Sequence, residues 1–215
     1  FLGQPGPDPD LLWVDGDNVA GAQAAVEHLI RVGCRRIACL AGSPELVSAQ
    51  HRLLGYKNAL AQAHVPFSPD WVIPADFTEA GGYQATRALL DRLAEPPDGI
   101  FASNDLMAIG SLRALREAGL SVPQQVAVAG FDGIPMGEFS VPRLTTVEQP
   151  IYQMGQSAAE LLLSALQGEE PACRQIRYPL QLRIRESTAR AAPPFEGGDG
   201  PGEQVGGRGV SASRT

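Results

Sequence analysis

The chain has 215 residues, of which 44% are hydrophobic and 19% charged, enough to bury one substantial core. Its formal charge of −7 gives it no overall attraction for nucleic-acid phosphates, which does not exclude a DNA-binding segment outside it. No window approaches a membrane span, and Cys34, Cys39 and Cys173, odd in number and without CxxC or zinc spacing, point to a reduced compartment and to no metal or cofactor.

Residues 1–11 carry Pro5, Pro7 and Pro9 among Gly and Asp and read as a linker. They show no basic n-region or apolar h-region, so a signal peptide is not expected. The absence of an initiator Met suggests a fragment or trimmed chain. Asp17 is placed as the N-cap of a helix over about 18–32, with Val26, Leu29 and Ile30 on one face and Gly33 as its stop. A short buried strand follows at 36–41 (RIACLA), then a helix at 52–63 with Leu53, Tyr56 and Leu60 at helical spacing. A strand at 72–77 leads to a helix opened by Thr78 and running to about 93. The apolar run 99–103 leads to a helix at 106–118, stopped by Gly119, and 126–131 (VAVAGF) is the next strand.

These strands are short and continuously apolar rather than alternating, the mark of a parallel sheet covered on both faces. The expectation is a doubly wound α/β domain, in which ligands bind beyond the carboxyl ends of the strands. Asn104, Asp105 and Asp132 fall at those ends. After Asp132 the pattern changes to a lone strand at 144–147, a long amphipathic helix at 151–166, and an alternating stretch at 176–184 that reads as one hairpin arm or edge strand. Residues 191–215 hold seven Gly and three Pro without apolar periodicity and read as a disordered tail.

Six stretches in order then carry a resemblance: DNVAGAQAAVEHLIRVGCRRIACLAG (17–42), RLLGYKNAL (52–60), DFTEAGGYQA (76–85), PDGIFASNDLMAIGSLRALREAGLSVPQQVAVAGFDGIP (97–135), PRLTTVEQPIYQMGQSAAELLLSAL (142–166) and LRIREST (182–188). Together they resemble the LacI/GalR family of bacterial transcription regulators over about residues 12–188. The resemblance implies a periplasmic-binding-protein-like sensor of type I, represented here mainly by its C-terminal lobe. A return segment at about 144–168 would belong to a first lobe that is mostly absent. It also implies a homodimer in the cytoplasm that reaches operator DNA only through an N-terminal helix-turn-helix headpiece outside this chain. The dimer surface would comprise the helix after Phe77, the exposed face of 108–117 and the loop 134–141.

By the same resemblance the ligand-binding residues are Arg52, Phe77, Asn104, Asp132 and Gln149, with Asp17 a weaker candidate at the cleft edge. Arg52 offers a planar fork of donors to paired oxygens, Phe77 an aromatic face, Asn104 both a donor and an acceptor, and Asp132 an acceptor for hydroxyl or N–H groups. The small-molecule effector would be a sugar or a similar polar metabolite. Gly133 departs from the second Asp common at that position.

Each residue also has a plainer reading. Asp17 suits an N-cap, Asp105 could cap the helix it precedes and leave Asn104 for ligand, Arg52 alone would pass for a surface salt-bridge residue, and Phe77 could be core. The chain has no G-x-S-x-G, no P-loop and no Gly-rich dinucleotide turn, so an enzyme is not expected. The alternative on the same fold is a secreted sugar- or solute-binding protein serving a transporter.

Overall fold

The computed structural model describes residues 1–6, 10–171 and 173–190. The expected tail at 191–215 lies outside the described residues. In chain order the elements are β1 (Trp13–Gly16), α1 (Asn18–Arg31), β2 (Ile37–Ala41), α2 (Val47–Gln62), β3 (Val72–Pro74), α3 (Glu79–Arg92), β4 (Gly99–Ala102), α4 (Asp105–Glu117), β5 (Ala127–Asp132), α5 (Met136–Phe139), β6 (Thr145–Glu148), α6 (Ile151–Leu166), β7 (Gln175–Tyr178) and β8 (Gln181–Arg183).

The main sheet has the order β3-β2-β4-β5-β6-β8. Its first five strands run parallel and β8 is antiparallel to β6. Strand periodicity explains the unbroken apolar runs. On β4, Phe101 faces one core and Ile100 the other; on β5, Ala129 and Phe131 face the first, Val128 the second. Helices α1 and α2 close the first core with Val26, Leu29, Tyr56 and Leu60, while α3 and α4 close the second with Leu89, Met107 and Leu115. This is the doubly wound α/β architecture that the buried strands imply.

The helix starts are chemically marked. Asp17 accepts from the Ala20 N–H at 3.0 Å, and Thr78 from that of Gly81 at 2.9 Å. Helix α2 begins at Val47, five residues before the expected start at 52, because its first turn has no polar side-chain cap to announce it.

A second, smaller sheet pairs β1 with β7 in parallel. No strand is expected at β1 from the sequence, because Asp15 and Gly16 cut the apolar run LLWV short. Alongside it lie residues of the stretch expected as a linker, with Gly3 N–H donating to the Val14 carbonyl at 2.8 Å and Val14 N–H to that of Phe1 at 3.0 Å. The stretch 176–184 is not one arm. It divides at Pro179, which offers no N–H to a ladder, into β7 on the small sheet and β8 on the large one. The chain therefore passes between the sheets at Gly16–Asp17, at Gln149–Pro150 and at 179–180.

Helix α6 packs on the small sheet through Met154, Ala158 and Leu161 against Val14, Ile176 and Tyr178. Its opposite face leaves Leu162, Leu163 and Leu166 exposed. Among the described residues no helix is long and apolar enough to cross a membrane.

Candidate functional site

The C-terminal ends of β2, β4 and β5 open onto a cavity of about 1040 Å³. It lies beside the point where the strand order turns, between β2 and β4, where an open α/β sheet leaves a crevice. Arg52, Phe77, Asn104, Asp132 and Gln149 all line it, and Asp17 does not.

The early start of α2 places Arg52 in its second turn, pointing inward. It is buried, with only 6% of its surface exposed, so it is not the surface salt-bridge residue that its sequence context alone suggests. Its Nε donates to Asn18 Oδ1 at 2.8 Å and its Nη1 to the Ser103 carbonyl at 2.6 Å. Nη1 also lies 3.0 Å from Asp132 Oδ1, and the guanidinium sits 3.8 Å over the Phe131 ring. Burial lowers its pKa, and the Asp132 carboxylate opposes that shift.

Asp132 ends β5 with φ +106°, a backbone region that non-glycine residues rarely occupy. Its Oδ1 accepts from Gln149 Nε2 at 2.8 Å as well as from Arg52. Burial lifts the carboxyl above the ordinary carboxylate range, and the neighbouring guanidinium pulls it back.

At the end of β4 the two polar neighbours divide their work differently from the capping alternative. Asn104, not Asp105, caps α4: its Oδ1 accepts from the Met107 N–H at 2.9 Å. Its Nδ2 donates to the Phe77 carbonyl at 2.9 Å, so one amide hydrogen remains for the cavity. Asp105 turns inward. Its Oδ2 accepts from the Ile134 N–H at 2.8 Å and its Oδ1 from Thr146 Oγ1 at 2.5 Å. It clamps the loop after β5 to β6, and burial pushes its carboxyl up to about 7.

Phe77 holds a left-handed backbone, φ +66°. Its ring rests on Gly42, where a side-chain carbon would fall 1.9 Å from the ring. The ring thus packs against the second core on one side and borders the cavity on the other. Asp17 stays at the start of α1 as its cap.

Asp15 and Asn18, absent from the candidates above, also belong to the site's surroundings, both buried and joined by a 3.1 Å hydrogen bond. Their signal is the polar run DGDN (15–18) between LLWV and an apolar helix. The rim pair Glu148 and Arg183, 2.5 Å apart and likewise absent from the candidates, borders the same cavity. Gly133 closes against Glu148: a side-chain carbon there would lie 2.9 Å from its Cα.

The periplasmic binding protein-like domain model matches residues 26–188. Over 181 residues the chain is 39% identical to the HTH-type transcriptional regulator CelR of Thermobifida fusca, covering 84% of this chain and 53% of that protein. Over 187 residues it is 38% identical to the HTH-type transcriptional repressor CytR of Escherichia coli, covering 87% and 54%. Among solved structures, the CelR–cellobiose complex superposes with a TM-score of 0.83 at 38% identity, covering 86% of this chain and 57% of that one. A LacI-family regulator from Enterococcus faecium with bound ribose superposes with a TM-score of 0.79 at 36% identity, covering 87% and 69%. The chain spans about half the length of the curated relatives it matches. By its domain match, its motifs and its superposition, it belongs to the periplasmic-binding-protein-like domain family, in the form carried by LacI-family transcriptional regulators.

Proposed function

We propose that the chain is the effector-sensing part of a LacI-type DNA-binding regulator, and that the effector is a small neutral polar metabolite, a sugar. One observation carries the reading: Arg52, Phe77, Asn104, Asp132 and Gln149, far apart in sequence, border one cavity at the strand ends. In it the guanidinium and the carboxylate already neutralise each other, so hydroxyl groups gain more there than a net charge would. Two solved relatives, bound to cellobiose and to ribose, support a sugar.

Ligand changes operator binding to the extent that it binds one lobe arrangement better than another. DNA is read by a headpiece outside this sequence, and the protein works in the cytoplasm as a homodimer. The dimer surface includes α3, the exposed face of 108–117 and the loop 134–141, where Phe139 and Val141 are 83% and 88% exposed. The chain is a sensor and not an enzyme. The relatives described above are transcriptional regulators, which favours this reading over a secreted solute-binding protein.

The test is calorimetry on the full-length protein against neutral pentoses, hexoses and disaccharides, with sugar acids and nucleosides as contrasts. A neutral sugar is expected to bind and to change operator affinity. Asp132→Asn is expected to weaken that binding at least about tenfold, roughly 1.4 kcal/mol, with the circular dichroism spectrum unchanged. Full affinity in that variant would sink the site.

A further inference from the structure

The cavity-facing ion pair is tied to two of the places where the chain crosses between the sheets. Asn18 engages both its amide hydrogens and its amide oxygen. Its Nδ2 donates to Asp15 Oδ2 and to the Gly16 carbonyl, both at 3.1 Å. Its Oδ1 accepts from Arg52 Nε at 2.8 Å. Asp15 and Gly16 end β1, at the first crossing. Asp15 is held in turn by the Gly16 N–H at 2.8 Å and the Gln4 N–H at 3.1 Å.

From Arg52 the chain of contacts continues through Asp132 to Gln149 Nε2, at the second crossing. The Gln149 N–H also donates to the Asp132 carbonyl at 3.2 Å. The ring nearly closes, since a side-chain carbon on Gly16 would stand 3.2 Å from Gln149 Oε1. Asp15, Asn18 and Arg52 are all at least nine-tenths buried, where water competes little for these bonds.

We propose that Asn18, supported by Asp15, is a positioning residue. It ties the pose of Arg52, and through it Asp132 and Gln149, to the crossings at Gly16 and Gln149. A ligand that takes hydrogen bonds from the Arg52–Asp132 pair then alters the restraint on both crossings at once. The functional meaning rests on the sensor reading. The wiring itself does not.

The chemistry explains the residue type. Position 18 must present a donor to a carboxylate and an acceptor to a guanidinium on opposite sides of one short side chain. Aspartate would keep the acceptor and set a second carboxylate against Asp15. Alanine would leave Arg52 Nε and Asp15 Oδ2 each short of a buried partner.

The test is amide hydrogen exchange on the full chain without ligand, so its failure is separate from a failure of the sensor reading. In Asn18→Ala, exchange is expected to rise at least about tenfold both at 13–17 and at 149–151, with β2 and β4 unchanged. A rise confined to 13–21, as from a merely loosened start of α1, would overturn the relay. Asn18→Asp is nearly isosteric and serves equally where the alanine variant does not fold. It is expected to release 13–17 while leaving 149–151 protected, because Arg52 keeps its acceptor. Release of both segments, or of neither, would overturn the routing through Arg52.

Discussion

Arg52 and Asp132 show how a polar site survives inside a doubly wound fold. A guanidinium this buried is tolerated because a carboxylate, a carbonyl and an amide oxygen each meet it. Removing one partner leaves the other charge stranded. Asp132→Ala is therefore expected to cost about 3 kcal/mol of folding stability, the low end for a broken buried pair because Asp132 keeps some solvent contact; urea unfolding checks this. Asn104 holds two posts, capping α4 and bordering the cavity. Asn104→Ala is expected to lose about 1 kcal/mol from the lost cap, whereas Asn104→Ser keeps most of it. Comparing ligand affinity in the two variants separates the cap from the contact.

At the scale of elements, Asp105 ties the start of α4 to β6 and to the loop after β5. Its pKa near 7 in the folded protein stands above the value near 4 of an unfolded aspartate. The folded state therefore keeps this proton where the unfolded chain has lost it. Its contribution to stability is full below about pH 4, falls as pH rises from there, and is gone above about pH 7. Asp105→Asn is expected to flatten the fall of stability across that window, by at most about 1.4 kcal/mol per pH unit, as read by denaturation at several pH values. An equally steep fall in the variant would place the proton elsewhere. Helices α3 and α4 meet closely at Gly110, where a side-chain carbon would lie 2.0 Å from the Glu79 carbonyl oxygen. Gly110→Ala must push the helices apart, at an expected 1–3 kcal/mol or so, measurable as a lowered Tm.

At the scale of the whole molecule, two groups of exposed apolar side chains among the described residues bear on assembly. One is the outer face of α6, with Leu162, Leu163 and Leu166. The other is the patch of Met136, Phe139 and Val141. Patches of this kind mark contacts with other protein. In the proposed homodimer the second patch is covered. Phe139→Glu with Val141→Glu is expected to shift the full-length protein from dimer to monomer at micromolar concentration by light scattering. A dimer of unchanged strength would remove this surface from the interface.

The sequence by itself determined the layered core, since strands buried on both faces must be apolar at every position and the helices between them must carry one apolar stripe. It also marked Asn104 and Asp132, because polar residues that end an apolar strand stand at the sheet's carboxyl edge. For Arg52, Phe77 and Gln149 the motifs supplied the candidates and only folding brought them to one cavity. Which of Asn104 and Asp105 caps α4 was decided by the turn after β5, which supplies the Ile134 N–H that draws Asp105 inward. Strand β1, the division at Pro179 and the Asp15–Asn18–Arg52 contacts were decided by tertiary structure alone. They depend on contacts between segments distant in the sequence, as Trp13 with Gln175 or Asn18 with Arg52, and no local periodicity records which distant segment a short strand or side chain will meet.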